Sequence, residues 1–232
     1  VFTLAGFLGV DPKISFWSNF ERGEGIFALW HHYLFFLLIL LTFRNYKDWQ
    51  KLFFFSILAA IGLSFYGLLQ ILGVDWVVSS NPGRLQGTLG NPAYVGAYLL
   101  FTMFYVVNVF IDNKLLWLRI LLGCLLIAFL GAFFMTQTRG SLLGLLAGLT
   151  LAFFYLIWRL PSGKFKKYSI YTLLVFVGLL FFVYVFRETP IIKDLPFARI
   201  FQINLQESGA QSRFWTWNSA LKGFYEKPIL GW

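Results

Sequence analysis

The sequence predicts an all-α protein, a polytopic bundle of transmembrane helices with about six complete spans, a partial one at the amino-terminal end and an outer amphipathic helix. Three observations carry this. The 232 residues are 59% hydrophobic and only 12% charged, with a mean hydropathy of +0.71, whereas soluble domains carry roughly 25% charged residues. The apolar residues fall in runs close to the roughly 20 residues that cross a ~30 Å hydrocarbon core. The runs do not alternate in polarity, which excludes barrel strands. Backbone groups in hydrocarbon must then be satisfied within each segment, so the runs are helices.

Taken in order, residues 1–10 are apolar but too short to span, and read as the tail of a further helix. They lack the charged start and small-residue cleavage site of a signal peptide. The six runs follow at 26–43, 52–72, 93–111, 115–135, 141–158 and 168–186. The first holds His31 and His32, which point about 100° apart on a helix, so at most one faces a given site. Packing or hydrogen bonding across helices is their expected role. The third run opens on Gly90-Asn91-Pro92, with Asn as helix cap and Pro at the first helical position. The lone Cys124, in mid-span, cannot form an intramolecular disulfide and is expected to serve packing. In the fifth run Gly140, Gly144 and Gly148 recur every four residues, which lets another helix approach at backbone distance. Beyond 186, Pro190 and Pro196 break the helix. Phe214, Trp217, Leu221 and Phe224 then repeat at spacings of three and four, an amphipathic helix suited to the outer leaflet or the top of the bundle. The chain thus divides into a transmembrane part, 1–186, and a tail, 187–232.

Basic residues set the orientation. Three alternate loops contain Arg44, Lys47, Lys51, Lys114, Arg119, Arg159, Lys164, Lys166 and Lys167, while the short opposite loops hold only Arg84 and Arg139. The rich loops are cytoplasmic by the positive-inside rule. The net charge of +9 is largely this asymmetry; because the charges sit in separate loops, a nucleic-acid surface is the weaker reading, and no nucleic-acid partner is expected. The three helices that begin on the outer face are each preceded by an arginine: Arg22, Arg84 and Arg139. A helix start carries unpaired N–H groups and about half a positive charge. Arginine there opposes stability unless an anion binds, and a helix start with a guanidinium fork suits phosphate. Headgroup anchoring is the competing role for Arg84 and Arg139, and a solvated surface position the competing one for Arg213. There is no Cys/His cluster for a metal, and no cofactor motif is expected.

Gly90-Asn91-Pro92 before a span, Thr138-Arg139-Gly140 at a hairpin tip, Ser212-Arg213 with Trp217 and Ala220, and Pro228-Ile229-Leu230-Gly231 together resemble the O-antigen ligase and polymerase superfamily. Phe20-Glu21-Arg22-Gly23-Glu24-Gly25 is similar to its bacterial members. The resemblance implies a multi-pass glycosyltransferase of the bacterial inner membrane, acting on the periplasmic face. It would move a glycan from an undecaprenyl-pyrophosphate carrier to lipid A-core, a growing polysaccharide or a protein. The implied partners are that donor, those acceptors and membrane lipids. Arg84 and Arg139, with Asn91 and Arg22 nearby in the motifs, would hold the donor, and Arg213 matches an arginine of the family's large periplasmic loop. By the same resemblance, 187–232 is the truncated start of that loop. The histidine that the family carries further along it is not in this chain; His31 and His32 do not take its place. The catalytic residue is therefore unassigned, and the chain is expected to transfer nothing alone. A transporter or flippase, which would show broken helices and repeated halves, and a non-catalytic membrane subunit are the alternatives.

Overall fold

The computed structural model describes residues 1–20, 23–80, 82–186, 189 and 208–229, and every regular element among them is helical. The α-helices are α1 Phe2–Leu8, α2 Pro12–Trp17, α3 Ile26–Thr42, α4 Tyr46–Ile71, α5 Pro92–Asp112, α6 Leu116–Met135, α7 Arg139–Arg159, α8 Lys164–Phe186 and α9 Ser208–Glu226, with a 3-10 turn at Gly87–Leu89. Helices α4 to α7 are long and apolar enough to cross a membrane, and α3 is an apolar helix of 17 residues. The chain forms two units: Val1–Trp49 with Asn204–Trp232, and Gln50–Ile203.

In the first unit α1 is a separate short helix. Asp11 ends the link that follows it, accepting a hydrogen bond from the Ile14 amide at 3.0 Å, with Pro12 at the first helical position of α2. Gly6 receives the Ile26 side chain, and Gly25 lies against the Phe16 carbonyl. Phe16 stacks edge-on to Trp30 at 5.7 Å, and the Trp30 indole donates to Thr3 Oγ1 at 3.2 Å. His31 Nδ1 donates to the Phe27 carbonyl at 2.8 Å, one turn back on the same helix. This hydrogen bond is thus within α3, and the His31 ring packs on Phe27 at 4.3 Å.

The second unit is organised around α5. Its buried residues are Pro92, Val95, Gly96, Leu99, Thr102, Met103 and Val106, the three-and-four spacing of one helical face. That face packs on α6 through Leu122, Phe129, Ala132 and Phe133 to make the core, to which Ile57, Ala60 and Leu63 of α4 add. Large side chains bridge α4 and α5: the Tyr98 hydroxyl donates to the Ser56 carbonyl at 2.9 Å, and Phe53 stacks on Tyr105 at 4.6 Å. At the far end of these helices Gln50 donates to Asp112 at 3.1 Å. Helix α7 lies along both α5 and α8.

Helices α4, α5, α7 and α8 begin before the apolar runs they contain. Helix α4 begins six residues before position 52, where Asp48 reaches back to accept from the Asn45 amide at 3.4 Å, a side-chain bond that favours a helical first turn. The small-residue stripe on α7 also sits slightly differently from its sequence pattern. Gly140 has open space where a Cβ would be, while Gly144 meets Leu100 and Gly148 meets Phe104. The closest approach is made from α5, where a Cβ on Gly96 would stand 2.7 Å from Ser141 Oγ and 3.2 Å from Thr136 Oγ1.

Gly96→Val should therefore force α5 from α7 and cost about 1–3 kcal/mol, read as an earlier midpoint when the purified protein is unfolded with sodium dodecyl sulfate in mixed micelles. Gly123→Ala, into open space on α6, should be neutral or raise the midpoint, because alanine loses less conformational freedom in a helix.

Candidate functional site

The candidate site lies where the 72–91 loop meets the α6–α7 hairpin. The loop is held from below by Gln70, in the last turn of α4. Its amide donates to the carbonyls of Val78 at 2.8 Å and Gly87 at 3.2 Å, and its oxygen accepts from the Gln86 amide at 3.4 Å. Gln86, 1% exposed, bonds Ser79 at 2.7 Å and Ser80 at 2.6 Å. This network satisfies polar groups that burial would otherwise penalise. Leu85 is fully buried over Gly67, where a Cβ would come within 2.5 Å of it. Gly87, at φ +54°, sits over Leu63, and Gly90, at φ +69°, turns the chain into the cap of α5. Both positions need the left-handed conformation that glycine reaches without strain.

Arg84 projects from this loop onto the hairpin tip. Its Nε and Nη2 donate to the Thr136 carbonyl at 3.0 and 2.9 Å, and Nη2 reaches the Gln137 carbonyl at 3.3 Å. The Leu85 amide donates to the Met135 carbonyl at 3.0 Å. Three successive carbonyls at the end of α6 are thus taken by two consecutive residues of another loop. A helix end leaves such carbonyls without intrahelical partners and carries partial negative charge, which a guanidinium complements. Gln137 returns a bond from its amide to the Gly83 carbonyl at 3.3 Å, and it holds φ +50°, a left-handed conformation unusual outside glycine. Arg84 precedes the start of α5 in the chain, but its bonded neighbour is the carboxy-terminal end of α6. That gives it a stabilising place that the sequence reading, based on chain order, did not include.

Arg139, half-buried, is the first residue of α7. The capping residue before it, Thr138, makes no side-chain bond to the helix. Its hydroxyl donates instead to the Pro92 carbonyl at 3.2 Å and the Thr136 carbonyl at 3.3 Å. Pro92 is the first residue of α5, so the starts of α5 and α7 are tied side by side. Neither carries an acidic residue in its first turn. Asn91 is exposed and caps α5, its Oδ1 accepting from the Ala93 amide at 2.9 Å.

The structure therefore brings together Arg84, Asn91 and Arg139 of the sequence-predicted set. Arg213 is exposed on α9, in the other unit. Arg22 lies outside the described residues. Thr136, Gln137, Thr138, Gln70 and Gln86 belong to the site's framework and were missed in the sequence. Gln70 had a signal, a polar residue in an apolar run; Gln86 had none, since loop glutamines are ordinarily solvated. Among the described residues no three His, Cys, Asp or Glu side chains gather as a metal site.

Arg84→Ala should leave the end of α6 without its guanidinium and cost about 1.5–3 kcal/mol, with faster amide exchange across 83–91 in the purified protein. Gln137→Gly should relieve the left-handed backbone and keep that exchange slow.

Residues 124–232 match the family model described as O-antigen ligase. No curated protein and no solved structure matches the chain. The matched region starts within α6 and takes in the hairpin tip, Arg139 and helices α7 to α9; Arg84 and Asn91 precede it, and Arg84 is hydrogen-bonded to Thr136 within it. Over that region the chain is similar to the O-antigen ligase family, and helices long and apolar enough to cross a membrane lie ahead of and within the match.

Proposed function

We propose that this protein transfers a glycan from an undecaprenyl-pyrophosphate carrier to an acceptor at the periplasmic face of the bacterial inner membrane. The acceptor is lipid A-core, a growing polysaccharide or a protein hydroxyl. The observation that carries this reading is the Thr138 bridge to Pro92. It sets two helix starts side by side, with Arg139 the first residue of the second and no carboxylate in the first turn of either. Aligned peptide dipoles and a guanidinium concentrate positive potential where a pyrophosphate would sit.

The chemistry needs little more at the donor. Pyrophosphate is a competent leaving group, and neutralising the charge that develops on it lowers the barrier to its departure. Arg139, the first residue of α7, supplies a fork for two phosphate oxygens. Arg84 acts chiefly by holding the 83–91 loop and the hairpin tip in register, so that Asn91 and Arg139 keep their spacing. Arg213 and Arg22 are proposed as further phosphate contacts on the strength of their motifs. The group that activates the acceptor is not assigned to any residue of this chain.

The test is glycan transfer by the full-length protein in membrane vesicles. Arg139→Ala should reduce transfer about 10²-fold with normal insertion and unchanged thermal stability, and Arg139→Lys should recover part of it. Transfer within twofold of the unmodified protein for Arg139→Ala would reduce Arg139 to a headgroup anchor. Arg84→Ala is the poorer probe, because it loosens the loop as well as removing a charge.

A further inference from the structure

The apolar face of α9 has no part in the proposed phosphate site. At about 100° per residue, Ala210, Phe214, Trp217, Leu221, Phe224 and Tyr225 fall within roughly a 100° arc. Ser212, Thr216, Ser219 and Gly223 occupy the opposite side. Arg213 borders one edge of the apolar arc, and Lys222 lies beyond the other, beside Trp215. The face is uncovered among the described residues: Phe214 is 46% exposed, Trp217 59%, Leu221 53% and Phe224 56%. Phe214 and Trp217 meet edge to face at 5.6 Å, so the face presents a continuous aromatic surface.

We propose that α9 is an in-plane membrane helix that seats this face in a bilayer surface rich in anionic lipid. Three properties favour a bilayer over a second protein. Arg213 borders the face on one side and Lys222 lies past Asn218 and Gln211 on the other, so both cations can reach phosphate while their stems lie toward hydrocarbon. Described α9 and the turn after it carry Arg213, Lys222 and Lys227 against the single carboxylate of Glu226, a net positive charge that complements anionic headgroups. Tryptophan and tyrosine, apolar bodies with a polar edge, are the residues that settle at the headgroup boundary. A bilayer is also always at hand, because the same chain carries four helices of membrane-crossing length. Burial of such a face about 5–10 Å into the headgroup boundary is the usual depth for an interfacial helix. The proposal stands whether or not the chain handles pyrophosphate.

Single nitroxide labels on the full-length protein test this, with Cys124→Ser removing the native thiol. In vesicles of phosphatidylethanolamine and phosphatidylglycerol, labels at Leu221→Cys and Phe224→Cys should be relaxed by oxygen and shielded from a water-soluble nickel complex. A label at Ser219→Cys should show the reverse. Adding Lys222→Glu should move the Leu221 label toward water in these vesicles and not in phosphatidylcholine alone. Equal nickel access at positions 219 and 221 would overturn the proposal. So would labels at 221 and 224 shielded from both reagents, which would place the face against protein. An unchanged depth with Lys222→Glu would remove the anionic-lipid component.

Discussion

The clasp between Arg84-Leu85 and the end of α6 is the interaction on which the hairpin end of the second unit depends. Two residues of one loop satisfy three successive carbonyls, at Met135, Thr136 and Gln137. Without them a helix would end half-buried with its acceptors unmet, at a cost that the surrounding packing would have to absorb. Once the clasp is closed, much else follows. The loop is pressed onto α4, so that Leu85 needs Gly67 and Leu63 needs Gly87 beneath and above it. The hairpin tip turns through a left-handed Gln137, and Thr138 is delivered to the start of α5.

The charge pattern gains a physical sense from this. One arginine is committed to a helix end where positive charge is welcome, and the other stands at a helix start where it is not. The two residues look alike in a list of outward arginines, yet their surroundings differ in sign. A cation that completes a local dipole is stabilised by the fold. A cation beside a second positive pole raises the potential and makes its neighbourhood a place for an anion. The family that residues 124–232 resemble is described as O-antigen ligase.

Much of the helical layout was legible because bilayer-length hydropathy is a local, one-dimensional signal. The start of α5 was legible for the same reason, since Asn91 and Pro92 act on their immediate neighbours. The early start of α4 was less so: Asp48 caps over three residues, but a lysine-containing turn reads as loop when hydropathy alone is weighed. The glycine repeat announced close packing, yet only the rotation of α7 against α5 decides that Ser141, not Gly140, meets Gly96. Arg84's bond to Thr136 spans 52 residues, and nothing in either local stretch encodes that partnership. The buried Gln70–Gln86 pairing is similarly a product of tertiary folding.

The boundary of the family match has a consequence for modularity. It opens at residue 124, part-way along α6, so the matched region is not a self-contained brick. Phe129 and Phe133 look inward to α5, and the hairpin's carbonyls look to Arg84; both counterparts are upstream of the boundary. A chimera that grafts 124–232 onto a foreign set of leading helices would import a motif stripped of its mould. Upstream and downstream segments must therefore change together, each constraining which substitutions the other can accept.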